Sequence, residues 1–241
     1  MLLVTCYHPR VRRNLDEMDA RRLLTGGPVL LVTSSHRGRH NVLPVAYAMP
    51  LSVRPPLVGI ALHPSRHSYD LIKKTDEFAI NIPSRALLHH VQYLGSLSGA
   101  DFDKLELTKL PTFRARRVGT LLLEGCVGWI ECALEQTIEL GDHFLFVGRV
   151  VAVSADDEAF SDHWLLEDED AKPLHYLGSN FYALLDEVLE ARVPERAEEY
   201  GRRLQEAVDE QLELSREAEE KRSEEEDERD EFQRREGFAR D

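Results

Sequence analysis

The sequence predicts a mainly β domain, a small barrel or sandwich with a few short helices, followed by a charged segment. Three observations carry this. Short runs rich in β-branched and aromatic residues recur between turn signals through the first 185 residues, and helical patterns between them are brief. The acidic charge is concentrated at the end of the chain. Of 44 acidic and 30 basic residues, 22 acidic and 11 basic lie from Asp186 onward, leaving 22 and 19 before it.

Taken in order, PVLLVTSS (28–35) is β-rich and runs into the turn-like HRGRHN. VLPVAYA (42–48) is the next run. A proline-bearing loop, MPLSVRPP, then leads to LVGIALH (57–63), with Arg54-Pro55-Pro56 holding the chain extended on its approach. Ser65 or Ser68 is placed to cap a short helix through YDLIKKT. FAINI (78–82) is a short strand stopped by Pro83. Ser84 is placed to cap RALLHHVQYL, in which Leu87, Val91 and Leu94 fall at helical spacing before Gly95 ends it. LLLEGCVGWIECALEQTIEL and HFLFVGRVVAVSA are longer β runs joined at Gly141-Asp142, a hairpin-like joint. Many short strands with only brief helices favour a barrel or sandwich over βαβ repeats.

After about Glu190 the apolar residues thin to Tyr200, Leu204, Val208 and Leu212, a narrow stripe spaced by fours. Beyond Leu214 almost nothing is available to bury, so this part is a solvated helix or disordered. The expected organisation is an N-terminal extension (1–26), one domain (27–189) and a charged tail (190–241).

Composition excludes several classes. A near-neutral body lacks the basic face that nucleic-acid binding requires. The start of the chain has too few apolar residues for a signal peptide, and no stretch approaches eighteen uninterrupted apolar residues. A soluble, cytoplasmic protein that meets no membrane is expected. Cys6, Cys126 and Cys132 form no C-x-x-C pair. Cys126 and Cys132 share parity, so on one continuous strand they would face the same way, as buried small hydrophobes. Dinucleotide, P-loop, nucleophile-elbow and H-E-x-x-H motifs are all missing.

The densest polar stretch is HPSRHSYDLI (63–72). His63 and His67 stand four apart, but Pro64 keeps His63 out of helical geometry, which argues against a helical metal pair. A helix beginning near Ser68 offers free backbone N–H groups, Arg66 a planar phosphate donor, and Ser65 and Ser68 hydroxyls. The residues alone leave two readings open: an anion site, or a capped helix with a solvated arginine. GSLSGADFDK (95–104) is a polar loop able to fold over a ligand. His143, directly after the hairpin joint, is either structural or a proton donor beside a redox centre.

Six blocks in order, GGPVLLVTS, NVLPVAYAMPLSVRPPLVGIALHPSRHSYDLI, EFAINIPS, GSLSGADFDK, ECALEQTIELGDHFLFVGRVVAV and PLHYLGSNFY, resemble the flavin reductase-like, flavoredoxin-type FMN-binding proteins. The resemblance runs from about Gly27 to Tyr182. It implies a split β-barrel that forms a homodimer with FMN at the subunit interface. The flavin ring would lie against Ala46, Tyr47, Ala48 and Met49, with Tyr47 where relatives often carry tryptophan. The phosphate would sit by Ser65, Arg66, His67 and Ser68, with His63 lining the pocket. Asn41, Asn81, Ser98 and Lys104 match further positions near the flavin, and His143 matches the histidine beside the flavin and the nicotinamide. The implied activity is FMN-dependent electron transfer of the NAD(P)H:flavin reductase type, possible partners being an electron acceptor or a monooxygenase. The alternative is a non-enzymatic flavin carrier or sensor whose charged C-terminal helix binds a partner.

Overall fold

A computed structural model describes residues 16–189 together with Gly201, Arg202, Gln205, Glu206, Val208, Asp209 and Leu212. Leu15–Val188 form one compact unit. Its main sheet has seven strands in the order β2-β1-β5-β8-β9-β4-β3, with every neighbouring pair antiparallel. The strands are β1 (Leu30–His36), β2 (Arg39–Val45), β3 (Ala48–Ser52), β4 (Leu57–Leu62), β5 (Glu77–Pro83), β8 (Cys126–Leu140) and β9 (His143–Ala155). Two small ribbons complete the β structure: β6 (Thr112–Arg114) with β7 (Leu121–Leu123), and β10 (His175–Gly178) with β11 (Phe181–Ala183). The helices are α1 (Ala20–Leu23), α2 (His67–Thr75), α3 (Leu88–Ser96) and α4 (Lys104–Thr108).

The sheet curls on itself, because one core draws side chains from strands at both ends of the order. Leu43 and Val45 of β2 share a cluster with Ile60 and Leu62 of β4, together with Val32, Phe78, Ile80, Cys132 and Phe146. Phe78 and Phe146 are fully buried, each worth about 1.5–3 kcal/mol by transfer. Gly148 is required at the centre of this packing: a Cβ there would lie 2.5 Å from the Phe78 ring. A second core lies on the other face of the sheet, where Val91 and Leu94 of α3 meet Leu31, Val42, Leu123 and Leu174. The mainly β split-barrel expectation holds.

Several local expectations change. The run 42–48 is two strands: β2 ends at Val45, and β3 starts at Ala48 against a different partner, β4. Part of the expected loop 49–56 is therefore β3, an edge strand, where Pro50 costs no ladder bond to a further strand. Gly125, with φ 77, breaks the run 121–140 between β7 and β8. Cys126 and Cys132 do not face the same way. Register passes from Ile82↔Gly128 to Pro83↔Cys126, skipping Val127, so Cys126 joins the outer core and Cys132 the barrel core. Burial raises both thiols, Cys132 to about 12. Gly141, with φ 63, and Asp142 form the two-residue connection between β8 and β9.

Ser84 makes no cap bond and donates to the Gly125 carbonyl; a 3-10 turn (Arg85–Leu87) precedes α3, which continues through Gly95 to Ser96. Among the described residues no helix is long and apolar enough to cross a membrane. In the other unit, Val208 and Leu212 of the expected stripe are helical and half-exposed, and Tyr200 and Leu204 lie outside the described residues. Arg202–Glu206 and Gln205–Asp209 are i,i+4 pairs on that segment.

Candidate functional site

The link from β4 to α2 is held by its own backbone. Arg66 N–H donates to the His63 carbonyl at 3.0 Å, and Tyr69 N–H to the Arg66 carbonyl at 2.9 Å. Arg66 is the extended N-cap residue, and no side chain caps α2. Neither serine expected to do so is available. Ser65 Oγ lies 2.7 Å from His63 Nδ1, and Ser68, fully buried, accepts from Asn41 Nδ2 at 2.8 Å. Because Ser65 N–H also donates to His63 Nδ1, that nitrogen is an acceptor, and neutral His63 carries its proton on Nε2. The remaining first-turn amides of α2, those of His67 and Ser68, and its positive dipole end are left to a ligand or to solvent.

Residues from three other segments converge beside this helix start. Ser34 pairs with Asn41 in the β1–β2 register, so their side chains share one face, and Arg39 is two residues along that same face. Ser34 Oγ is buried with no hydrogen-bond partner. Gly99 lies against Asn41, where a Cβ would come within 2.1 Å of Oδ1, and this brings the loop 97–103, between α3 and α4, onto Asn41; the first two residues of the expected loop 95–104 belong to α3. Ser98 organises that loop: its carbonyl accepts from Asp101 and Phe102, and its Oγ from Ala100. His67 is held below the ordinary histidine pKa mainly by burial. Asp70 opposes the shift, and the charges of Arg39, Lys74 and Lys104 add to it. Ser34, Arg39 and Gly99 were missed from the sequence, since only strand register and loop packing bring them here.

Lys104 reaches the region from below. Its Nζ is buried and donates to the carbonyls of Val42 (3.0 Å) and Leu94 (2.7 Å). Burial first, and then the neighbouring charge of Arg66, lower its pKa from 10.5 to about 8. Between these values the unfolded chain keeps a proton that the folded chain releases. The resulting stability is present above 10.5 and lost as pH falls through about 8. Denaturant midpoints measured from pH 7.5 to 10 are expected to rise for the natural protein relative to Lys104→Met. Parallel curves would show that Lys104 keeps an ordinary pKa.

A ring cluster stands at the other end of the His63–Ser68 link. The His143 ring centroid is 5.6 Å from those of both Tyr47 and His63. Asp142 Oδ1 lies 2.8 Å from His143 Nδ1, and this bond, then the charge of His143, lowers the exposed Asp142 carboxyl. A carboxylate on Nδ1 orients the imidazole and leaves Nε2 to give or take a proton. Ala46 and Tyr47 form the joint between β2 and β3, and the Tyr47 carbonyl is fixed by Ala61 N–H at 2.8 Å. Met49 follows on the exposed edge strand, two residues beyond Tyr47. Asn81 stands apart from both groups. Its amide donates to the Leu31 carbonyl and Thr33 Oγ1 and accepts from Leu123 N–H, tying β1, β5 and β7 together. A surface cleft of about 380 Å³, between Asp76, Glu77 and Arg117, shares no residue with the cradle or the rings.

Residues 21–185 match the family model described as the flavin reductase like domain. This chain belongs to the flavin reductase-like family. The family segment includes every residue of the cradle and ring cluster. The uncharacterised protein YddH of Escherichia coli is 33% identical over 168 residues, which span 68% of this chain and 89% of YddH. A protein of Pseudomonas putida named flavin reductase is 28% identical over 151 residues, 61% of this chain and 85% of that one. Among solved structures, an FMN-binding protein from Thermus thermophilus with bound 1-cyclohex-2-enone superposes with TM-score 0.65 at 29% identity. That match covers 76% of this chain and all of the other.

Proposed function

We propose that this flavin reductase-like chain binds FMN and serves as an oxidoreductase that accepts hydride from NADH or NADPH. The observation that carries the proposal is the uncapped start of α2, where Arg66, Arg39, Ser68 and the orphaned Ser34 hydroxyl collect. A phosphate dianion suits that donor set: backbone amides, a bidentate guanidinium and hydroxyls, with Lys104 adding charge from beneath. The names of the Pseudomonas and Thermus relatives support the same reading.

Bound FMN would supply the electron chemistry. The chain's own residues bind and orient. Arg66, Ser65, His67 and Ser68 would hold the phosphate, and Asn41 would position Ser68. Ala46, Tyr47, Ala48 and Met49 would lie along the ring, with His63 beside it, and Ser98 would shape the covering loop. Asn81 would act through the sheet it ties together. His143, oriented by Asp142, would hold or transfer a proton at Nε2 on the nicotinamide side. Homodimerisation is supported by β3, an edge strand on which Met49 and Leu51 are exposed, with exposed Tyr47 and Val53 flanking it. Reduced flavin would pass to an electron acceptor such as a monooxygenase component in the cytoplasm.

The test is the visible spectrum of the purified protein with added FMN, then anaerobic titration with NADH and NADPH. Tight FMN binding and bleaching of the flavin band by one nucleotide are expected. A protein that neither carries nor takes up FMN refutes the proposal. Binding without bleaching leaves only a flavin carrier.

A further inference from the structure

A separate cleft of about 220 Å³ opens between the end of β2, the last turns of α3 and the β10–β11 hairpin, and Ala46 lines one side of it. It is smaller than the ~300–1,000 Å³ typical of sites for drug-sized ligands, so it suits one ring with a short substituent. Its polar groups are already organised. Tyr182 Oη donates to Gln92 Oε1 at 2.7 Å, and Gln92 Nε2 donates to Asn180 Oδ1 at 2.9 Å. Left-handed backbone at Gly178 (φ 111) and Ser179 (φ 54) turns the hairpin so that Asn180 can reach Gln92. An amide held at both ends keeps one N–H and one oxygen lone pair for a ligand. The Tyr176 and Tyr182 rings, 5.4 Å apart and tilted by 58°, add an aromatic wall.

The walls carry no carboxylate, ammonium, guanidinium or imidazole, so a charged guest would lose hydration without a counter-charge. Burial, and then Tyr176, raise the Tyr182 pKa and keep its phenol neutral. Gly95 keeps the cleft open. It lies within α3, with no positive φ to require glycine, and a Cβ there would meet nothing closer than Pro44 Cγ at 3.8 Å. A helix pays for glycine in stability, and the space it leaves is the cleft.

We infer that this cleft is a binding site for a neutral, planar, single-ring compound bearing a carboxamide or carbonyl. The ring lies against the tyrosines, and the polar group pairs with the Gln92 amide. Its place beside Ala46 as a substrate subsite rests on the flavin reading above; the binding site itself does not. The test is a 15N-detected NMR titration of the full chain with benzamide, with benzoate as the charged counterpart. Saturable shifts at the Gly95 and Ser96 amides and the Gln92 side chain are expected with benzamide and not with benzoate. Gly95→Leu should weaken benzamide at least tenfold, and Gln92→Met, a mild change at an exposed position, should do the same. Absent or non-saturating shifts, equal response to benzoate, or unchanged affinity in a folded variant would overturn the inference. FMN titration of Gly95→Leu separates the two proposals. Unchanged FMN affinity is expected, whereas its loss would put the flavin itself in the cleft. If the natural protein binds no FMN, the flavin reading fails while the benzamide result stands.

Discussion

Replacing Arg66 with alanine is expected to weaken FMN binding by several-fold to a hundredfold, about 1–3 kcal/mol for a charge-assisted contact. Arg66 is an exposed N-cap residue whose backbone, not its side chain, makes the turn bonds to His63 and Tyr69. Removing the guanidinium should therefore leave α2 in place. Lysine at this position retains the charge and loses the bidentate fork, so Arg66→Lys should fall between the two. Quenching of FMN fluorescence gives the affinities, and a thermal melt checks the fold. Equal affinity in all three proteins would remove the phosphate from this cradle.

Glu131→Ala should produce the largest loss of stability away from the site. Glu131 is 3% exposed, and its carboxylate gathers three backbone amides. Oε1 accepts from Arg116 at 2.9 Å, and Oε2 accepts from Arg117 at 2.5 Å and Val118 at 3.2 Å. Alanine strands these donors and loosens the loop that seats Val118 beside Ala79 and Leu122. A cost of about 3 kcal/mol follows from leaving several buried donors unmet. At roughly 2–4 °C per kcal/mol for a domain of this size, the melting temperature should fall by about 6–12 °C. Glu131→Gln, which keeps one acceptor oxygen, should lose less. A fall under about 2 °C would mean that water replaces the carboxylate. FMN affinity should not change, because Glu131 touches neither the cradle nor the rings.

The strand inventory was readable because its signals are local. Alternation, β-branched runs, Gly141-Asp142 and Pro83 each act within a few residues, and β4, β5 and β9 lie where they indicate. The ordered family blocks likewise carried the split barrel. The parity argument for the cysteines failed because a bulge at Val127 inserts one residue, and period-two reasoning has no means of seeing it. The capping argument for α2 failed for a different reason. Ser65 and Ser68 have the right chemistry, but the helix starts at His67 with Arg66 at the cap position, and His63 and Asn41 engage the two hydroxyls.

Composition and local pattern were sufficient for a β barrel or sandwich with a charged tail and for a suspicion of anion binding around Arg66. Tertiary structure alone decided which groups share that site. Ser34, Arg39, Asn41, Ser68 and Gly99 meet through strand register and a loop contact, across separations that no periodicity encodes. It also gave Lys104 and Asn81 different work. Both are polar residues of the right type, but Lys104 satisfies the Val42 and Leu94 carbonyls, and Asn81 ties three strands together. A buried polar group must be paired, and its partner is fixed by the folded neighbours, not by its position in the chain.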